Sequence, residues 1–314
     1  MQLKRNKMCL SLMALLMSFM VLLAGCGGKG SAGSGSSAQA AGRVTIKMLD
    51  VGQGDAVLIR TAEQTVLIDT SDVDEKQKLR DALKKENIKV VDKLIITHPH
   101  ADHMGGAALV MNECEVKAVY DNGQTATTKL YRDYLKTIKS KGIAYKALRD
   151  GDRLDFGGGV SFEVLSPTED MVKEGGHDEK GKVNLNLNSI VGRLVFGDFS
   201  MMFTGDAETP SEQGIMKRHA PKELKSTLLK SGHHGSKTSS SDKFLKAVQP
   251  EAALISCGKG NEYHHPHPST RKKYAKHKID FYRTDVNGMI TVESDGHSYT
   301  LNVERGTKND ETGN

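Results

Sequence analysis

The chemistry of this chain is concentrated in one short run, Thr97-His98-Pro99-His100-Ala101-Asp102-His103. There, His98, His100, Asp102 and His103 place four potential metal ligands within six residues. Neutral imidazoles and a carboxylate suit zinc, and manganese accepts the same donors. A solvated polar turn is the competing reading, but three His and one Asp this close together are hard to place without a metal. The residues before the run, 91–96, read as a short buried strand. The cluster therefore lies just past the C-terminal end of a strand, where α/β proteins build their sites.

Three further groups repeat that placement. Thr204-Gly205-Asp206 follows an apolar run, His233-His234-Gly235-Ser236 follows the next, and Tyr263-His264-His265-Pro266-His267 follows the strand ending at Ser256. Strands that end together can bring all of these to one edge of the sheets. Alone, Asp206 would read as a turn residue. With the upstream cluster it reads as a ligand, and a glycine-flanked His pair is better explained by metal chemistry than by structure.

The elements that must position these residues can be read from periodicity. Strands are expected at 44–49, 92–96, 116–120, 145–148, 160–165, 226–230 and 252–256. Hairpins are expected at 55–60 with 64–69 and at 189–196 with 199–204, and closing strands at 280–283, 288–293 and 298–303. Helices are expected at 74–86 (Leu79 and Leu83 on one face), 127–141 (Leu130, Tyr134, Leu135 and Ile138), 208–219, 239–248 and 269–277. Residues 168–186 are almost without apolar side chains and read as a long loop. Strands, then alternation, then strands again imply two similar αβ halves packed through their sheets.

The ends are of a different kind. Lys4, Arg5 and Lys7 precede an apolar run that closes on Leu23-Ala24-Gly25-Cys26, the order of a secretory leader over residues 1–25. A membrane span is the alternative, and the run is short for one. The Leu-Ala-Gly-Cys ending resembles a bacterial lipoprotein signal, which would make Cys26 the lipidated first residue of an exported protein anchored to the membrane and facing outward. Residues 26–42, mostly Gly, Ser and Ala, read as a tether. The folded part is expected over 43–305, with a polar tail over 306–314. The formal charge of +5 includes three residues of the leader, and the remainder is too small to argue for nucleic acid by itself. Outside the leader and Cys26, only Cys114 and Cys257 remain. Two separate buried thiols are expected, with a disulfide of an exported protein as the alternative.

Taken together, His-x-His-x-Asp-His, Thr-Gly-Asp and a late His resemble the metallo-β-lactamase fold superfamily. More narrowly, Met48-Leu49-Asp50-Val51-Gly52-Gln53-Gly54-Asp55-Ala56, Asn188-Ser189, Thr204-Gly205-Asp206 and His233-His234-Gly235-Ser236 are similar to the hydrolase domain of ComEC-type DNA-uptake proteins, here as a free-standing lipoprotein. The resemblance implies an α/β fold of αββα layers, with two mixed β-sheets face to face and helices outside. It also implies one or two divalent metal ions, zinc or manganese. His98 and His100 would hold the first ion, Asp102 and His103 the second. Asp206 would bridge them, and His233, rather than His234, would complete the second site. A further His expected in the superfamily between the cluster and Asp206 is missing, since residues 184–189 read Asn-Leu-Asn-Leu-Asn-Ser. His177, in the polar loop, is read as a non-ligand, so the first site would be weak, empty, or filled by Asn188 or water.

Other candidates surround this set. Asp50 and Asp55 flank the Gly52-Gln53-Gly54 turn, and Asp55 either orients a ligand His or stabilises the turn. His265 and His267 either donate to a phosphate or leaving group or sit in a rigid Pro-bounded loop. Lys230, Ser236 and Lys237 either steer an anionic substrate or form a solvated face. Catalytic roles fall on Asp206, Asp102 and His265. The chemistry expected is hydrolysis, by two ions ~3.5–4 Å apart that activate a bridging hydroxide. The substrate implied by the resemblance is DNA, making the protein a phosphodiesterase or nuclease. A teichoic-acid-type phosphodiester of the cell envelope and a non-catalytic metal- or DNA-binding module are the alternatives. No obligate protein partner is evident. Trp is absent and aromatics are 5% of the chain, so no stacking platform for single strands is visible.

Overall fold

Alternation of side chains decides the first sheet. In Val44–Met48, Val44, Ile46 and Met48 are buried while Thr45 and Lys47 lie half-buried on the other face. The strand pairs antiparallel with Val57–Arg60 on one side and Ile290–Ser294 on the other. The computed structural model describes residues 42–178 and 180–311. The expected leader, Cys26 and nearly all of the tether lie outside the described residues.

Eight strands form this sheet, in the order Tyr299–Val303, Ile290–Ser294, Val44–Met48, Val57–Arg60, Thr65–Ile68, Lys93–Ile96, Ala118–Asp121 and Ala144–Ala147. A seven-stranded sheet runs Asp280–Arg283, Ala252–Ile255, Leu228–Lys230, Phe199–Phe203, Val191–Phe196, Ser161–Ser166 and Arg153–Asp155. Each passes from antiparallel to parallel pairing. Thr65–Ile68, Lys93–Ile96 and Ala118–Asp121 are parallel in the first, and Phe199–Phe203 to Asp280–Arg283 in the second.

The facing sides of the two sheets make one apolar layer, with Ile46, Ile59, Val66 and Ile95 from the first and Phe162, Leu194, Met201, Phe203 and Leu254 from the second. Helices cover both outer faces. Leu79 and Leu83 of Lys76–Lys85, Val110 of Ala107–Glu113 and Tyr134 and Ile138 of Lys129–Lys141 pack outside the first sheet. Ile215, Phe244, Leu245 and Tyr274 do the same outside the second. This is the αββα sandwich with mixed sheets expected from the sequence.

Three details differ from the sequence reading. The polar loop 168–186 carries a helical turn, Glu169–Lys173, whose N-terminus is capped by the Thr168 hydroxyl, and a 3-10 turn at Leu185–Asn188. The sequence reading placed no helix here, but Ala101–Met104, which carries Asp102 and His103, and Ala107–Glu113 beyond the His run are both helical. Gly105 serves close approach there, because a Cβ on it would lie 2.4 Å from the Asp72 carbonyl carbon and the Val73 nitrogen. Finally, residues 306–311 fold back on the second sheet. Asn309 donates its N–H to the Phe281 carbonyl and its Oδ1 accepts from the Phe281 N–H, both at 2.8 Å. Cys114 and Cys257 are separate thiols, half-buried and buried respectively.

Candidate metal centre

The parallel strands of both sheets end at the same edge, and the polar residues that follow them meet there. Lys93–Ile96 runs into Thr97, whose N–H and hydroxyl both donate to Asp69 at 2.8 Å. Asp69 ends the neighbouring strand, and its Oδ2 accepts from His103 Nδ1 at 2.8 Å. That bond leaves His103 Nε2 facing inward, as a ligand imidazole requires. His98 has its Nδ1 3.1 Å from the Thr97 hydroxyl and its Nε2 3.0 Å from His100 Nδ1. His100 precedes the turn Ala101–Met104, whose first residues carry Asp102 and His103 to the same point.

Asp206 comes from the other sheet. Thr204 anchors its loop by donating to the Lys230 carbonyl at 2.7 Å, and the Asp206 N–H donates to the Ser189 hydroxyl at 3.2 Å. Asp206 Oδ1 lies 3.1 Å from His103 Nε2. Its Oδ2 lies 3.7 Å from His233 Nε2, 3.7 Å from His234 Nε2 and 3.9 Å from His98 Nε2. Asp102 Oδ2 is 3.1 Å from His234 Nε2. One donor atom each from Asp102, His103, Asp206 and His234 falls within 4.8 Å of all the others. Although His103 Nε2 and Asp206 Oδ1 are close, both are buried without a well-directed hydrogen bond. Together with Asp102 and His234 they would hold a divalent ion, and nitrogen and carboxylate donors without thiolate fit zinc or manganese.

The electrostatics agree. Burial raises the Asp206 carboxyl, but His103, His234 and His233 more than reverse this and hold it well below the usual carboxylate range. Burial depresses His103 and His234, yet the surrounding carboxylates win. Asp206 and Asp69 hold His103 well above its ordinary value, and Asp206 and Asp55 push His234 up to about 10. Burial and the neighbouring His103 push His98 well down. Such an anionic box favours positive charge, supplied by protons or by metal.

A sequence profile described as the metallo-beta-lactamase superfamily matches residues 49–259. The chain belongs to that superfamily. Its site is that of a metal-dependent hydrolase. Among characterised relatives, it is 32% identical over 263 residues to ComE operon protein 3 of Bacillus subtilis, covering 78% of this chain and 32% of that one. It is 32% identical over 246 residues to competence protein ComA of Neisseria gonorrhoeae, covering 78% and 31%. The chain thus spans about a third of the length of the curated relatives it matches. The crystal structure of Tm1679, a metal-dependent hydrolase of the beta-lactamase superfamily, shares the fold, with a TM-score of 0.50 and 14% identity over 77% of this chain and 95% of that one.

In this superfamily member the His pair sorts in the opposite order to the sequence expectation. His234, not His233, stands with Asp102 and His103, because both residues take left-handed backbone angles (φ 48° and 51°) that swing the buried ring of His234 under the cluster. The Ser256 carbonyl, 2.9 Å from His234 Nδ1, orients that ring. Asn188 does not face the cluster, since its amide donates to the Met171 carbonyl at 3.0 Å. The nearer amide is Asn186, 3.4 Å from His233 Nδ1. Exposed His177 instead donates to the Glu174 carbonyl.

The flanking carboxylates separate as well. Asp50 pairs with Arg305 at 3.1 Å, away from the ligands, whereas Asp55 is buried 3.4 Å from His234 Nδ1 and 3.8 Å from His103 Nδ1. Gly54, at φ 124°, lets that loop touch the metal loop, because a Cβ there would lie 2.5 Å from the Asp102 carbonyl oxygen. Lys230 cannot steer substrate. It is buried against Asp55 and donates to the Gly205 carbonyl at 3.1 Å. Ser236 is buried against Thr238, while Lys237 is exposed and donates its N–H to His267 Nδ1. His265 is buried at the rim, its Nδ1 without a hydrogen-bond partner, 5.4 Å ring-to-ring from His233. Tyr263, 54% exposed, stacks on His265 at 5.7 Å. Periodicity gave no hint of Asp69, Glu208 or Tyr263. The one sequence signal for Asp69 is that it ends an apolar strand, as Asp206 does.

Proposed function

We propose that this protein is an exported, membrane-tethered phosphodiesterase that cleaves DNA. The observation that carries this reading is the identity of about a third, over most of the chain, with proteins named for competence. Recombination protein 2 of Haemophilus influenzae, 31% identical over 252 residues, supports it. Lys4 to Lys7, the apolar run and the Leu-Ala-Gly-Cys ending support export, with Cys26 as the lipid anchor facing the outer side of the membrane.

Zinc or manganese held by Asp102, His103, Asp206 and His234 would supply Lewis acidity and lower the pKa of a water ligand toward ~7. The other residues act on the substrate. Neutral at physiological pH, His265 is pushed down to about 3 by burial and by His234, His233 and His267. Its Nδ1 is buried beside His233 without a hydrogen-bond partner, which leaves it free for a phosphate oxygen only where substrate binding opens the loop. The exposed ring of Tyr263 offers a flat face on which a nucleobase can stack, a feature that composition alone did not suggest.

The test is cleavage of end-labelled single- and double-stranded DNA by the full chain in detergent, with manganese or zinc. Asp102→Ala combined with His103→Ala is the control. Cleavage lost in the control supports the proposal. Absence of DNA cleavage, with hydrolysis of a phosphocholine ester, would move the substrate to the cell envelope. Absence of both, in protein that binds metal, would leave a binding module.

A further inference from the structure

Lys230 closes the strand Leu228–Lys230, and it is buried. A buried ammonium is tolerated only with a partner. That partner is the buried carboxylate of Asp55, which stands just before Val57–Arg60 of the other sheet. Apolar side chains of similar volume join two sheets as well as a buried ion pair or better, so stability alone does not account for it. What the pair touches is the metal cluster.

Asp102, His103, Asp206 and His234, whose donor atoms converge within 4.8 Å, come from loops of both sheets, and those loops must agree in register at one point. The pair reaches each loop. Lys230 Nζ donates to the carbonyl of Gly205, the residue before Asp206, at 3.1 Å. The Asp55 N–H donates to the Asp102 carbonyl at 3.0 Å. Asp55 Oδ1 lies 3.4 Å from His234 Nδ1, and the Nε2 of that ring is 3.1 Å from Asp102 Oδ2. Ser256 closes the circuit. Its hydroxyl donates to the Gly54 carbonyl at 2.7 Å, and its own carbonyl is 2.9 Å from His234 Nδ1. His233 lies outside this circuit, with its Nδ1 turned to Glu208 at 3.2 Å.

We propose that the buried Lys230–Asp55 ion pair positions the metal ligands, setting Asp206 through the Gly205 carbonyl and Asp102 and His234 through Asp55. The proposal rests on the reading of the protein as a metal-dependent hydrolase, but its test does not use turnover. Charge and position make opposite demands on Lys230. An ammonium beside the site repels a divalent ion, so a purely electrostatic role predicts tighter zinc binding once it is removed. A positioning role predicts weaker binding, by the roughly 10–100-fold typical of residues behind metal ligands. Lys230→Met combined with Asp55→Asn isolates position, because it removes the pair and leaves the net charge unchanged. Chelator-stripped full chain in detergent is titrated with zinc(II) by equilibrium dialysis and with cobalt(II) by visible absorption. Ile138→Ala, which opens a cavity in the outer helix layer, is the control for lost stability. The double variant should bind zinc roughly 10–100-fold more weakly, with an altered cobalt spectrum, and Ile138→Ala should bind as the wild type does. Unchanged affinity or an unchanged spectrum in the double variant would overturn the proposal, as would an equal loss in Ile138→Ala. If the double variant does not fold, Lys230→Met decides by sign: weaker zinc binding upholds the proposal, and equal or tighter binding overturns it. Wild-type protein that takes up no zinc would reject the metal centre and this proposal with it. Zinc binding that depends on the pair, in protein that cleaves no DNA, would uphold the proposal and reject the nuclease reading.

Discussion

Replacing Lys230 with methionine keeps the volume of a buried side chain and removes its charge. Lys230 and Asp55 are 2% and 1% exposed, and Lys230 Nζ also donates to the Gly205 carbonyl. Burial depresses the lysine and raises the aspartate, but their mutual attraction reverses both, leaving Lys230 raised and Asp55 lowered. Removing one partner of such a pair costs about 3–5 kcal/mol, because the other charge is left uncompensated. His234 Nδ1, 3.4 Å from Asp55, relieves part of this and sets the expectation at about 3 kcal/mol. In a domain of this size that lowers Tm by about 6–12 °C. A raised lysine contributes below its unfolded pKa and a lowered aspartate above its own. The deficit should therefore be flat between roughly pH 4 and 10 and shrink outside that window. Urea unfolding of the chelator-stripped protein, followed by circular dichroism, measures it. Adding Asp55→Asn should restore part of the loss, since neutralising both partners removes the orphaned charge. A loss under about 1 kcal/mol, or a double variant less stable than Lys230→Met, would refute the argument.

Metal entry should expel protons. With His103 held well above its ordinary value and His234 at about 10 in the metal-free protein, zinc affinity should rise with pH through neutrality. Calorimetry at pH 7 in two buffers of different protonation enthalpy should show about one to two protons released, and none released would contradict the site. Gly105→Ala should cost about 3 kcal/mol, because its Cβ would strike backbone at 2.4 Å, and a neutral thermal melt would show that the loop yields. Tyr263→Ala should raise KM for DNA about 5- to 100-fold with kcat little changed, and an unaltered KM would remove its stacking role.

What the sequence makes legible is local. His98 to His103, Asp206 and the His pair each stand directly after an apolar strand. Their placement follows from strand order and needs no knowledge of long-range contacts. The layers follow too, because Leu79 with Leu83 and Tyr134 with Ile138 mark helix faces turned to one sheet. What stayed hidden depends on pairing across the molecule. Asp55 and Asp50 are alike in sequence, but only Asp55 meets Lys230, from the other sheet. Asn188 is two residues from Asn186, yet the 3-10 turn sends one amide to Met171 and the other toward His233. The order of His233 and His234 depends on two left-handed φ values that no side-chain pattern records.

The return of Asn309 onto Phe281 bears on how the protein can be handled. Phe281 lies in the last strand of the seven-stranded sheet, and both of its main-chain groups are taken by Asn309. The apolar pattern ends at Val303, so a chain cut at Arg305 would keep every ligand and most of the core. It would also bare the N–H and carbonyl of Phe281 at the sheet's edge, a pair open to a second molecule. Shortened preparations should therefore self-associate more readily with the candidate metal cluster intact, and a poor metal titration of such material would be mistaken for a fault of the cluster.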